Sequence, residues 1–287
     1  MSITPLDLAQ DLVEIEPNFF ATNKIPASEW MRLNANETGV TLCERAKIAM
    51  TTSSLDLPLY KKYLEQNLAD LDRSACIMEL GAGDGRITHE LLRMGFSNII
   101  AVEGQIQSIK RLYSSLDEEQ LTRVRLICAD VLDLSLAESS VDTIVSIETL
   151  CCLNDDFEKA MTHLSQSLTP KGRIIHAELM QEGNLFYALA FDDKDKIKSL
   201  LEGKTPTHFG AVRVFENNEM EQIYRQCGLT TIEKHAIPSL HGFLSRAYPR
   251  LGKEDPEVIN LLQQTQSTLG HNDLARAMYF VAGKASI

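Results

Sequence analysis

Ile77-Met78-Glu79-Leu80-Gly81-Ala82-Gly83-Asp84-Gly85 runs an apolar segment directly into three glycines at alternate positions. The first half reads as a strand and the second as the tight turn that carries a strand into a helix. In such a turn, at the carboxyl edge of a parallel sheet, glycine permits positive φ and lets the backbone come into contact with a ligand. A glycine-rich turn by itself can be a turn and nothing more. What surrounds it decides the reading.

Downstream of residue 75, short apolar runs alternate with amphipathic helical stripes, the pattern of a parallel sheet with helical crossovers. The candidate strands are 75–80, 98–102, 124–128, 142–147 and 173–179. Ile106, Ile109, Leu112, Tyr113 and Leu116 form one stripe, and Phe157, Ala160, Met161, Leu164 and Leu168 another. Asp155 followed by Glu158 resembles a helix-starting capping pair, and Thr169-Pro170-Lys171-Gly172 reads as the turn that launches the fifth strand. A polar, helical stretch is expected to about Thr207, then a helix at 218–228 and strands near 229–236 and 276–283. The segment 238–275 reads as an insertion with a helix at roughly 255–269. Upstream, Tyr60, Leu64, Leu68 and Leu71 recur at helical steps, and short helices are expected over 1–55. No repeat or Gly/Ser-rich linker marks a domain boundary.

Two acids fall at the carboxyl ends of the next two strands, Glu103 in IIAVEG and Asp130 in RLICADV. Ligands of open α/β sheets bind in the crevice outside those ends. An acid after the second strand can accept both ribose hydroxyls of an adenosine, and a polar side chain after the third can face the adenine amino group. The dinucleotide fingerprint GxGxxG must be weighed here. Gly85 comes one position too early for it, Arg86 stands where its third glycine belongs, and Glu79 and Asp84 would flank a pyrophosphate badly. A ligand carrying an ammonium and a sulfonium beside its carboxylate tolerates those acids.

Residues 56–180 resemble the class I, Rossmann-like S-adenosylmethionine (SAM)-dependent methyltransferases. The resemblance rests on Glu79, Gly81, Gly83 and Gly85, on Glu103 and Asp130, and on the fourth-strand segment from Val141 to Glu148. It implies that Glu79 and the loop Gly81, Ala82, Gly83 and Gly85 hold the amino-acid part of SAM, that Glu103 with Gly104 beside it holds the ribose, and that Asp130 with Val131 holds the adenine. S-adenosylhomocysteine (SAH) is then the product. It further implies a doubly wound, mostly parallel sheet of seven strands ending in an antiparallel hairpin. Many relatives continue the fourth strand with a leucine and then a histidine, whereas this chain reads Glu148-Thr149-Leu150-Cys151-Cys152-Leu153. The expected organisation is an amino-terminal helical lid over 1–55 and a SAM-binding α/β domain over 56–287 whose 238–275 insertion completes the lid, the whole forming one compact domain.

The remaining expectations concern the acceptor. The chain has 287 residues, 28 basic against 40 acidic, for a net charge of −12, with no Lys/Arg-rich block to neutralise a run of phosphates. No NPPY-like segment follows the fourth strand. A small-molecule O- or N-acceptor is therefore favoured over nucleic acid; a protein acceptor or a non-catalytic SAM-binding role are the alternatives. With no signal-like amino terminus and no apolar run of about 18 residues, a cytoplasmic protein without a membrane span is expected. The six cysteines show no zinc spacing, and no metal is expected. Oligomeric state is not legible.

Methyl transfer asks mainly for alignment and exclusion of water. Should the acceptor need a base, His176 and His241 are the catalytic candidates, with His208 behind them; His176 also fits a buried helix–sheet position. Glu148, following the fourth strand on the binding edge, is assigned to the SAM or acceptor pocket. Trp30 fits an aromatic wall or core packing equally. The acidic runs Asp117-Glu118-Glu119 and Asp192-Asp193 read as solvated helix ends.

Overall fold

The computed structural model describes residues 12–22, 24, 26–28, 31, 57–134, 136–207, 210–216, 218–237 and 275–285. Its strands are β1 Leu12–Glu16, β2 Phe19–Thr22, β3 Ile77–Leu80, β4 Ile99–Glu103, β5 Val124–Cys128, β6 Val141–Ile147, β7 Leu168–Leu179, β8 Lys204–Thr207, β9 Gly210–Arg213, β10 Leu229–Ile237 and β11 Ala277–Lys284. Its α-helices are α1 Leu57–Asn67, α2 Arg86–Arg93, α3 Ile106–Ser115, α4 Glu118–Leu121, α5 Phe157–Ser167, α6 Gln181–Ala190, α7 Lys194–Leu201 and α8 Glu219–Gln226.

Among the described residues, nine strands form the main sheet in the order β1-β2-β5-β4-β3-β6-β7-β11-β10. The run from β5 to β7 is parallel, β11 returns antiparallel on β7, and β10 pairs antiparallel with β11. From β3 the chain steps outward to β4 and β5, then crosses back to β6 on the other side of β3. That reversal opens a crevice at the carboxyl ends of β3 and β6, where an open α/β sheet takes its ligand.

The five parallel strands are legible as apolar runs because helices cover both faces. All four residues of β3 are buried, and on the helices that flank it Ile87, Leu91, Leu92, Ile109 and Leu112 are buried too. On the other side of the switch, α5 buries Phe157, Ala160, Met161 and Leu164.

Four expectations are corrected. The sheet has nine strands, since β2 adds in parallel to β5 through Phe19↔Leu126 and β1 pairs back on β2. Residues 12–22 of the supposed helical lid are therefore extended; Phe19 is fully buried, whereas Val13 and Ile15 face solvent and gave no readable period. The stretch before Thr207 ends in β8, which forms a small hairpin with β9. Asp155 does not cap α5: its N-cap is Asp156, without a side-chain cap, and Glu158 bonds Arg213 instead. The Thr169–Gly172 turn is present as a bulge within β7, where pairing to β6 jumps from Leu168 to Arg173. Asp117 builds a capping box with Gln120 and Asp193 caps α7, so both acidic runs are helix starts. His208, His241, Trp30 and the 238–274 part of the insertion lie outside the described residues.

Candidate active site

The glycine loop leaves β3 with all three glycines at positive φ: Gly81 at 72°, Gly83 at 55° and Gly85 at 96°. They serve different ends. A Cβ on Gly81 would lie 2.2 Å from Thr149 Oγ1, and one on Gly85 2.3 Å from Leu112 Cδ1, so these two glycines let neighbouring elements close on the loop. A Cβ on Gly83 would meet nothing within 4 Å. Gly83 thus presents bare backbone to open space at the mouth of the crevice, as a cradle for a ligand requires.

Acids line this space. Glu79 is almost fully buried on β3 and accepts a 2.6 Å hydrogen bond from the Thr88 hydroxyl. Burial pushes its pKa up to about 8, with the negative Glu103 adding to the rise and Thr88 and Arg86 opposing it. Glu103, ending β4, accepts from the Gly83 N–H at 2.9 Å and the Gln105 N–H at 2.7 Å. Its pKa is also raised by burial, against the pull of those backbone donors. Glu103 therefore pins the loop as well as facing the crevice. Gly104 follows it with the end of the Met31 side chain packed against it, Sδ lying 2.7 Å from where a Cβ would stand. Asp84, feared as a flanking charge, turns away to Arg111 (2.6 Å).

Asp130 sits after β5 and joins two segments. Its Oδ2 accepts from the Ser28 N–H at 2.8 Å and hydroxyl at 2.6 Å, and its Oδ1 accepts from the Leu132 N–H at 3.0 Å, starting the short turn that contains Val131. Ala27 N–H donates to Asp133. Ala27, Ser28 and Met31 thus lie across the ends of β4 and β5. That contact was not legible, since nothing in the local period of 1–55 points to it.

Glu148, directly after β6, has φ 53° and an N–H bonded to Ala177 O at 2.9 Å. Its Oε1 accepts from Tyr60 of α1 at 2.7 Å and from Arg276 at 2.5 Å. Burial works to raise its pKa, but Arg276 and Tyr60 outweigh it and hold the carboxyl below the usual range. Arg86 lines the crevice together with Glu79, Gly81, Ala82 and Ile147. Tyr60 and Arg276 escaped the sequence reading: one is hidden in an apolar helical stripe, the other is a single cation in front of the last strand.

His176 is elsewhere in character. It is fully buried in β7, with Nδ1 2.9 Å from Glu178 Oε1, Nε2 against the Tyr224 hydroxyl, and the ring stacked on Phe280. Both nitrogens are engaged inside the core, the buried helix–sheet position that alternation with Ile175 and Ala177 allowed. Glu178 also accepts from the Cys151 N–H at 3.0 Å. Cys151 is buried, its thiol pKa raised by its contact with Cys152 and by burial, and Cys152 is half-buried. Among the described residues no helix is long and apolar enough to cross a membrane.

Residues 77–172 match the family model of the methyltransferase domain. No curated protein is a significant sequence match. Among solved structures, the chain is similar to the 1,6-didemethyltoxoflavin-N1-methyltransferase of Burkholderia thailandensis, bound to 1,6-didemethyltoxoflavin and SAH: TM-score 0.59 and 15% identity, over 96% of this chain and 100% of that one. It is also similar to the geranyl diphosphate C-methyltransferase of Streptomyces coelicolor A3(2), TM-score 0.56 and 13% identity over 79% of each chain. A third is the CcbJ methyltransferase of Streptomyces caelestis, TM-score 0.54 and 15% identity over 82% of this chain and 96% of that one. At such identities the likeness is one of fold.

Proposed function

We propose that this chain is a SAM-dependent methyltransferase of the class I family, a reading supported by the methyltransferase-domain model that matches residues 77–172, and that it methylates a nitrogen or oxygen atom of a small-molecule acceptor. The observation that carries this reading is the crevice at the sheet's switch point: open backbone at Gly83, flanked by the near-buried carboxyls of Glu79 and Glu103. Backbone that a ligand can approach closely, with acids adjacent, suits a ligand that is at once carboxylate, ammonium and ribose. In this reading Glu79 meets the ammonium, the loop from Gly81 to Gly85 the carboxylate, and Glu103 the ribose hydroxyls. Asp130 Oδ1 and the Val131 backbone face the adenine, while Oδ2 keeps Ser28 and so holds Ala27, Ser28 and Met31 over the adenosine.

When bound, SAM supplies a methyl group on a sulfonium, which leaves as a neutral thioether. The protein's share is to align and to dry the site. Met31 against Gly104, Tyr60 from α1 and Arg276 before β11 close in from different elements, and such a ring of side chains favours a compact acceptor over an extended polymer. The two similar structures named above, a 1,6-didemethyltoxoflavin-N1-methyltransferase and a geranyl diphosphate C-methyltransferase, support a small acceptor. The test is parallel calorimetric titration with SAH, SAM and NAD: micromolar binding of the first two alone supports the reading, and binding of NAD alone overturns it. An acceptor screen by mass spectrometry follows, in which methylation only of peptides or nucleic acid would refute the small-molecule assignment.

A further inference from the structure

We infer that Glu148 is the acceptor-anchoring anion of the site: its Oε2 receives an N–H of a neutral amine acceptor, and Tyr60 and Arg276 are positioning residues that aim it. The inference rests on the SAM reading above and narrows it to N-methylation of an amine.

The geometry begins with the backbone. Glu148 is a non-glycine residue at φ 53°, a strained conformation that persists where surroundings fix it. Here they do. Its N–H is bonded to Ala177 O, and both Tyr60 and Arg276 donate to the same carboxylate oxygen, Oε1. Arg276 is itself held, its carbonyl accepting from the Met180 N–H and the Asn184 side chain, each at 2.9 Å. Two elements therefore converge to orient one oxygen and a third holds the backbone, while among the described residues none donates to Oε2. That second oxygen belongs to a carboxylate one-fifth exposed, beside the crevice at the end of β6. β6 pairs with β3 immediately below the glycine loop, Leu80↔Ser146, and Thr149 caps Gly81, so Glu148 borders the cofactor cradle on the side away from the ribose acid Glu103.

A fixed anion in that place suits one class of acceptor. A neutral amine attacks the methyl carbon with its lone pair, the carbon–sulfur pair returns to sulfur, and the positive charge moves to the acceptor nitrogen. A carboxylate held beside that nitrogen stabilises the growing charge without reorganising. A hydroxyl acceptor instead needs its proton removed, and Glu148, with its pKa held low, is a poor base for that. The proton of the methylated ammonium leaves to water after transfer.

Sinefungin tests this without knowledge of the acceptor, because its carbon-borne ammonium stands where SAM carries the methyl, whereas SAH has nothing there. Titration of the full chain is expected to show sinefungin binding at least about tenfold tighter than SAH. Glu148→Gln should abolish that preference while leaving SAH affinity within about twofold; Tyr60→Phe, which spares the carboxylate but loosens its aim, should reduce the preference about threefold. A preference unaltered by Glu148→Gln, or equal losses for both ligands, overturns the acceptor-side assignment. Wild-type protein that binds neither ligand overturns the SAM reading and this one with it. Circular dichroism and melting of each variant separate these results from loss of fold.

Discussion

The acid with the largest displaced titration in the crevice is Glu79, and its proposed role in holding the cofactor's ammonium predicts a measurable proton signature. With a pKa of about 8, its carboxyl is about nine-tenths protonated at pH 7 in the free protein. An ammonium arriving beside it favours the ionised form, so binding should expel close to one proton at pH 7 and about a tenth of one at pH 9. Since only the ionised form meets the ligand productively, SAH affinity should rise about tenfold from pH 6 to 7, about fivefold from 7 to 8, and less than twofold beyond. Calorimetry in buffers of different ionisation enthalpy reads the proton count directly. Glu79→Gln keeps an oxygen for the Thr88 hydroxyl but cannot ionise; it should bind more weakly and lose most of this pH dependence, the remainder belonging to Glu103. The stability of the free protein carries the opposite sign. A carboxyl whose pKa is raised by folding contributes stability that is complete below its unfolded value near 4.5 and is lost as pH rises through about 8, so the melting difference between wild type and Glu79→Gln should shift against wild type across that window. Affinity flat from pH 6 to 9, with no buffer-dependent heat, would refute both the pKa and the contact.

Other outcomes follow from the same geometry. Glu103→Ala should weaken SAH binding by roughly 1.5–3 kcal/mol, because it removes the ribose acceptor and also frees the Gly83 N–H; unchanged affinity by calorimetry would sink the ribose assignment. Gly83→Val and Gly85→Ala should separate binding from folding. Gly83→Val has room and pays mainly backbone strain of about 1–2 kcal/mol while blocking the cradle. Gly85→Ala drives a methyl into Leu112 and should lower the melting temperature more, which thermal denaturation with and without SAH distinguishes. His176→Ala strips Glu178 of its ring partner in the core and should cost about 2–4 kcal/mol in urea denaturation, with SAH affinity preserved; a fully stable variant that fails only in methyl transfer would return His176 to catalysis.

What the sequence could show follows from where each signal is written. The glycine spacing and the acids at strand ends are local, and so are the apolar runs that build β3 to β7, because a strand covered by helices on both faces must be apolar throughout. Gly81, Gly83 and Gly85 accordingly stand at the positive φ that the turn requires, and Glu103 reaches back to the loop as its register promised. The half-exposed strands β1 and β2 follow no such rule: only Phe19 is fully buried, and a hairpin of alternating valine, isoleucine and glutamate says little about the sheet edge it joins. Equally hidden were the contacts that span more than a hundred residues, Ser28 with Asp130 and Arg276 with Glu148. Neither partner carries a motif, and each is identified only once the sheet has brought distant strand ends to one edge. In the proposed reading the cofactor is met chiefly by residues 79–131, joined by Ser28 and Met31 from far upstream, while the acceptor is met by residues 60, 148 and 276. That division has a physical basis. A constant ligand can be met by one strand–turn–helix unit, whereas a variable one is met by whatever the surrounding elements place around the methyl group. Exchanging Tyr60 or Arg276 should for that reason alter which acceptors are methylated while leaving SAH affinity nearly constant.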